Sequence, residues 1–161
     1  MGYTTEFTGR VTVTPPLGPQ TVQRLAAFAE TRHEDPALPG YWCHWVAFDD
    51  GATIGWDGSE KFYSAELWLA HVIDHLLPPD HAVAGTIAAE GEEQGDVWRI
   101  EVRDNVVYVV QRTVEPEYDE VDPAGIEEWG ERQWAAFAAK TRHDVVYEIR
   151  DGARHEVDAI G

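Results

Sequence analysis

A chain of 161 residues has the length of one domain, or of one domain with an appendage. An apolar share of 43%, with seven Trp, is enough to bury a core and excludes a fully disordered protein. Twelve basic residues against 30 acidic ones leave a formal charge of -18, which phosphate backbones and anionic lipid repel, so neither direct nucleic-acid binding nor a membrane surface is expected.

No apolar run approaches the roughly 18 residues of a membrane span. The opening MGYTTEFTGR has neither a basic n-region nor an apolar h-region. One cysteine excludes an internal disulfide and fits a reducing compartment. These features predict a cytoplasmic protein.

In chain order, residues 7–14 (FTGRVTVT) read as a strand with Val11 and Val13 on one face. Pro15, Pro16 and Gly18 stop it, and Pro19 suits the first turn of a helix over 19–32. Residues 33–40, with two Pro and a Gly, are a loop. Two β-rich runs then flank Asp50-Gly51, a two-residue hairpin signal that sets Trp45 opposite Trp56 and Ala47 opposite Ile54. Cys43 shares their face, while Trp42, His44, Val46 and Phe48 take the other. Both faces are apolar, so the hairpin is either covered twice or shows an aromatic patch.

Ser64 is placed to cap a second helix, SAELWLAHVIDHLL, whose buried stripe is Ala65, Leu69, Val72, Ile73 and Leu76. Pro78 and Pro79 end it. A meander follows over 82–90, 97–103 and 106–113, with Asp104-Asn105 as its last turn. Residues 114–131 carry eight acids and no base, which predicts a linker at 114–123. Ile126, Trp129, Trp134 and Phe137 then fit a third helix, and VVYEIR-DG-ARHEV a third hairpin. The stretch around Phe28 echoes that around Phe137, each copy preceding a hairpin with a DG turn.

The predicted fold is therefore α+β, an antiparallel sheet with helices packed on one face. It begins with a ferredoxin-like β-α-β-β-α-β order and ends in an extra helix and hairpin. The organisation is a core domain over 1–113, a linker over 114–123 and an extension over 124–161.

The stretches GYTTEFTGRVTVTPPL, YWCHW, WDGSEKFYSAELWLAHVIDHLL and GTIAAEGEEQGDVWRIEVRDNVV resemble a family of small uncharacterised proteins from actinobacteria and their phages. They cover most of 1–113 and none of 114–161. Members of that family carry a longer loop before the WC.W strand and more chain after the second helix. The resemblance implies an intracellular bacterial or phage accessory protein, and no chemistry.

Four groups of residues invite a chemical reading, one of them the acidic run of 114–131 with Glu90, Glu92, Glu93 and Asp96, whose carboxylates either imitate a phosphate backbone and occupy a nucleic-acid-binding protein or form a solvated acidic linker. Cys43 and His44 are adjacent in a strand and point to opposite faces, so His44 is no base for that thiol, and Cys43 reads as core. His71 and His75, four apart on a helix, share a face suited to zinc, with Asp74, Asp80 and His81 nearby to complete a site. The helical wheel puts both beside Trp68 on the polar flank. The junction over 56–63 brings Asp57, Glu60, Lys61, Phe62 and Tyr63 together between hairpin and helix, where functional loops sit. No phosphate loop, dinucleotide fingerprint, nucleophile elbow or zinc-binding Cys pair is present.

Together these point to a non-enzymatic acidic protein that binds a basic protein surface, with Trp42, His44, Phe48, Asp57, Lys61 and Tyr63 as the candidate contact residues. The other reading is a small-molecule or metal-binding protein, or an enzyme. It would use the 56–63 loop and a zinc site of His71, His75 and His81.

Overall fold

A computed structural model describes residues 3–93, 95–114 and 142–158. Its first two strands, β1 (Thr5–Thr8) and β2 (Val11–Thr14), divide the single strand read over 7–14. The break falls at Gly9, whose φ of +102° is open to glycine, and a Cβ there would sit 3.0 Å from the Thr86 carbonyl oxygen. The register survives the break, since Thr8 faces Ala88 and Val11 faces Gly85.

Helix α1 runs Pro19–Ala29, shorter than the 19–32 expected. Thr31 ends it: its hydroxyl takes the Ala27 carbonyl at 2.8 Å while its N–H moves to Phe28 O. Strands β3 (Trp45–Phe48) and β4 (Thr53–Trp56) pair in the predicted register, Trp45 against Trp56 and Ala47 against Ile54. Their turn is longer than the two residues expected. It spans residues 49–52, and Asp49, Asp50 and Gly51 all take positive φ. The Asp49 carboxylate holds it by accepting from Thr53 Oγ1 at 2.8 Å and from Arg10.

Helix α2 is Ala65–His71 and continues into a π-helical turn, Val72–Leu76. One unbroken α-helix was the expectation. The wider turn, closed by Leu77 N–H to Val72 O at 3.1 Å, coincides with Val72, Ile73, Leu76 and Leu77 all being buried. Ser64 precedes the helix in a left-handed conformation and makes no capping bond with its side chain. Trp68 is fully buried, not on the polar flank, and packs with Phe28, His33 and His71.

The meander is as read: β5 (Ala82–Gly91), β6 (Val97–Arg103) and β7 (Val106–Val114). Asp104 and Asn105 both have positive φ in the turn, and the Asn105 side chain ties back to Val83 N–H at 2.6 Å. Strands β8 (Arg142–Arg150) and β9 (Ala153–Val157) form the last hairpin, which extends the sheet through β7–β8 pairing. The predicted third helix, most of the acidic linker and the second copy of the echo lie outside the described residues.

The described strands make one antiparallel sheet in the order β3-β4-β2-β5-β6-β7-β8-β9, with β1 also on β5. The fold is α+β, and both helices contribute to a single core against the sheet. Val11, Val13, Trp45, Ile54, Ile87, Ile100 and Val109 from strands meet Leu25 from α1 and Trp68, Leu69 and Val72 from the second helix. No described helix is long and apolar enough to cross a membrane.

Two interactions lock distant parts of the core. Trp45 is fully buried and donates its indole N–H to Ala65 O at 2.8 Å, fastening the hairpin to the start of α2. Arg154 of β9 reaches buried Glu66 in the first turn of α2 at 3.1 Å and lies over Tyr147.

Trp45→Ala is expected to destabilise the protein by about 3–5 kcal/mol, read as a lower urea midpoint. A midpoint equal to wild type would refute its place in the core. The two ends of the ion pair should differ. Arg154→Ala strands a buried carboxylate and should cost about 1–3 kcal/mol, less than a fully buried pair because Arg154 is 37% exposed. Glu66→Ala leaves an arginine that water can reach and should cost no more than about 1 kcal/mol. Equal losses in thermal melts would show that the pair is not what matters.

Candidate functional site

The junction after β4 is ordered by Asp57. One carboxylate oxygen accepts from Ser59 N–H at 2.8 Å to make a tight turn, and the other lies 3.2 Å from His44 Nδ1. Asp57 N–H also bonds His44 O at 3.0 Å, so strand and loop are joined through backbone and side chain. Trp56 donates its indole N–H to Ser59 O at 3.0 Å. Phe62 turns inward against Phe7, Trp45 and His44. With Phe62 buried, its neighbours Lys61 and Tyr63 face outward.

The other wall comes from the loop before β3. His33 N–H bonds Tyr41 O at 2.7 Å, and the Arg32 guanidinium lies 4.5 Å from the centre of the Tyr41 ring, with Glu34 as its ion-pair partner. Backbone alternation then buries Cys43 and Trp45 and leaves Trp42 exposed, with His44 half-buried.

Between these walls lies a cavity of about 570 Å³, bounded by Gly40, Tyr41, Trp42 and His44 on one side and Glu60, Lys61 and Tyr63 on the other. Glu60 also borders a second cavity of about 480 Å³, lined by Thr4, Glu6, Glu90, Gly91 and Glu92. An aromatic pocket thus opens beside a carboxylate groove, with Glu60 common to both. In the groove, Glu6 stands directly opposite Glu90 across the β1–β5 pair. Like charges so placed oppose strand pairing by roughly 0.2–1 kcal/mol.

Of the residues singled out from sequence, Trp42, His44, Lys61 and Tyr63 line the pocket, and Asp57 orients His44 from behind. Phe48 does not join them. Arg10 crosses the sheet to place its guanidinium 3.8 Å from the Phe48 ring centre, passing over Gly55, where a Cβ would meet Arg10 Cγ at 2.8 Å. Tyr41 and Glu6 are not among the candidate residues, and Glu90 and Glu92 enter only as part of an acidic surface; strand register and loop closure bring them to the site.

Cys43 is buried, and burial pushes its thiol up to about 12, so it is no nucleophile at neutral pH. The set His71, His75 and His81 is not assembled. His71 and His75 have ring centres 4.7 Å apart, but His81 is held by Pro15 O at 2.6 Å from its Nδ1. Among the described residues no three His, Cys, Asp or Glu side chains gather as a metal-holding group.

No family model, curated protein or solved structure matches the chain, so the site rests on its own geometry.

Burial holds the His71 imidazole below its ordinary range, helped by the charges of His75 and His33 and opposed by Asp74. The fold therefore favours neutral His71, and the unfolded chain takes up the proton first. Stability from this group is intact above about pH 6.5 and is lost as pH falls through the depressed folded value. Urea midpoints at about pH 7.5 and pH 5 should drop less for His71→Phe than for wild type. An identical drop would show that His71 does not carry this dependence.

Proposed function

We propose that this is a non-enzymatic interaction protein that holds a basic segment of a partner protein across the carboxylate groove and the adjoining aromatic pocket. The observation that carries this reading is the Glu6–Glu90 pair. Two carboxylates face each other across a strand pair at a cost to folding, next to Glu60, in a groove continuous with exposed aromatic rings. An incoming cation relieves that repulsion. The buried Cys43 thiol supports a binding role over thiol chemistry, and among the described residues His71, His75 and His81 do not gather into one metal-holding group.

The strand order β3-β4-β2-β5, with α1 and α2 as its connections, supports a ferredoxin-like start to the fold. The resemblance to actinobacterial and phage proteins makes a cytoplasmic accessory role the fitting one.

A second reading is favoured by the His44–Asp57 contact. An imidazole oriented by a carboxylate on the wall of a 570 Å³ pocket also suits a small polar-aromatic ligand.

Fluorescence anisotropy with a labelled basic peptide tests the main reading. Affinity should fall steeply from about 50 mM to about 500 mM salt as screening shortens. A Glu6→Gln, Glu90→Gln double variant should bind several-fold more weakly and melt at a higher temperature than wild type. Binding that ignores both salt and the double variant, or an acidic peptide that binds as well, would refute it.

A further inference from the structure

The chain uses one device three times. Arg10 lies 3.8 Å from the Phe48 ring centre and is held by Asp49 at 3.2 Å. Arg32 lies 4.5 Å from the Tyr41 ring centre and is held by Glu34. Arg154 lies 5.5 Å from the Tyr147 ring centre and 6.0 Å from that of Trp98, and is held by Glu66 at 3.1 Å. Each unit is an aromatic face, a guanidinium and a carboxylate that fixes it. The guanidinium suits this arrangement because it is flat, weakly hydrated and presents a fork of donors to the carboxylate.

The pocket holds two of the three parts. Trp42 and Tyr63 are 42% and 55% exposed, and Glu60 lines the same cavity. Among the described residues neither ring carries a guanidinium, and Glu60 forms no ion pair. We infer that the pocket is an arginine socket, completed by an arginine side chain from the partner's basic segment, stacked on Trp42 and Tyr63 and paired with Glu60. This rests on the basic-partner reading and narrows it. The groove of Glu6, Glu90 and Glu92 then takes the flanking basic residues of the same segment, which is why the source is a peptide chain and not a free guanidinium compound. Lys61 stands on the socket wall as a like charge and weakens capture.

Two labelled eight-residue peptides of equal charge separate the ideas, one all lysine and glycine, the other with a single central lysine replaced by arginine. The arginine peptide should bind wild type about tenfold more tightly. Trp42→Ala should lower the arginine peptide to the weaker, salt-sensitive affinity of the lysine peptide, and Glu60→Gln, whose carboxylate also borders the groove, should remove the preference and weaken both peptides. Trp42→Phe, which keeps a ring, should retain part of the preference, and Lys61→Ala should raise affinity for both peptides. Melting temperatures of these variants near wild type would confirm that exposed positions were changed. Equal affinity of the two peptides, lost on raising salt, would overturn the socket and leave the groove standing. Failure of both peptides to bind would overturn both. Free N-acetyl-arginine methylamide binding as tightly as the peptide would overturn the assignment to a protein segment.

Discussion

Four aromatic contacts converge on Phe7, and the rest of the structure is arranged around them. Its ring meets those of Trp45, Trp56, Phe62 and Trp98 at 5.4–5.8 Å between centres, all edge to face. Such pairs add roughly 0.5–1.5 kcal/mol each beyond the area they bury. Their geometric effect matters more. One side chain on β1 joins the β3–β4 hairpin, the junction loop and β6, segments far apart in sequence. Phe62 is the link to the site: pinned against Phe7, it forces Lys61 and Tyr63 outward and so shapes the pocket.

Electrostatics follow a similar economy. Four of the described arginines, Arg10, Arg32, Arg99 and Arg154, lie against a carboxylate of the same chain. These pairs neutralise charge locally and leave the excess acids elsewhere. The groove gathers several of them on β1, β5 and the junction loop, where their repulsion is set by strand register. A chain carrying -18 overall would be acidic in any fold; concentrating like charges across one strand pair is a property of this one.

What was legible in the sequence was local. The alternation around Trp45, the register across the hairpins and the meander boundaries come from short-range chemistry, and the structure keeps them, although the turn at Asp50-Gly51 is wider than two residues. Four of the six candidate contact residues lie on the pocket because that hairpin strand and the loop after it could be read directly. The misses have nonlocal or competing causes. Trp68 is drawn inward by Phe28 and His33, which a helical wheel does not include. The expected end of α1 gives way to a single Thr31 hydroxyl bond. Phe48 is removed from the site by Arg10, whose path depends on Gly55 across the hairpin. Glu6 and Glu90 become neighbours only through the β1–β5 register, and no spacing rule joins residues so far apart.

The alternation at Trp42, Cys43, His44 and Trp45 has an evolutionary consequence. Odd positions there are sealed in the core, whereas Trp42 and His44 border the pocket. Substitution at 42 changes the lining of the pocket without opening a hole in the interior, and substitution at 43 or 45 does the reverse, while His44, its side chain 12% exposed and packed on Phe62, serves both. Pocket lining and core packing therefore rest largely on separate residues along the same short stretch of chain. On the proposed function, such a scaffold could change specificity at Trp42 while Cys43 and Trp45 keep the core.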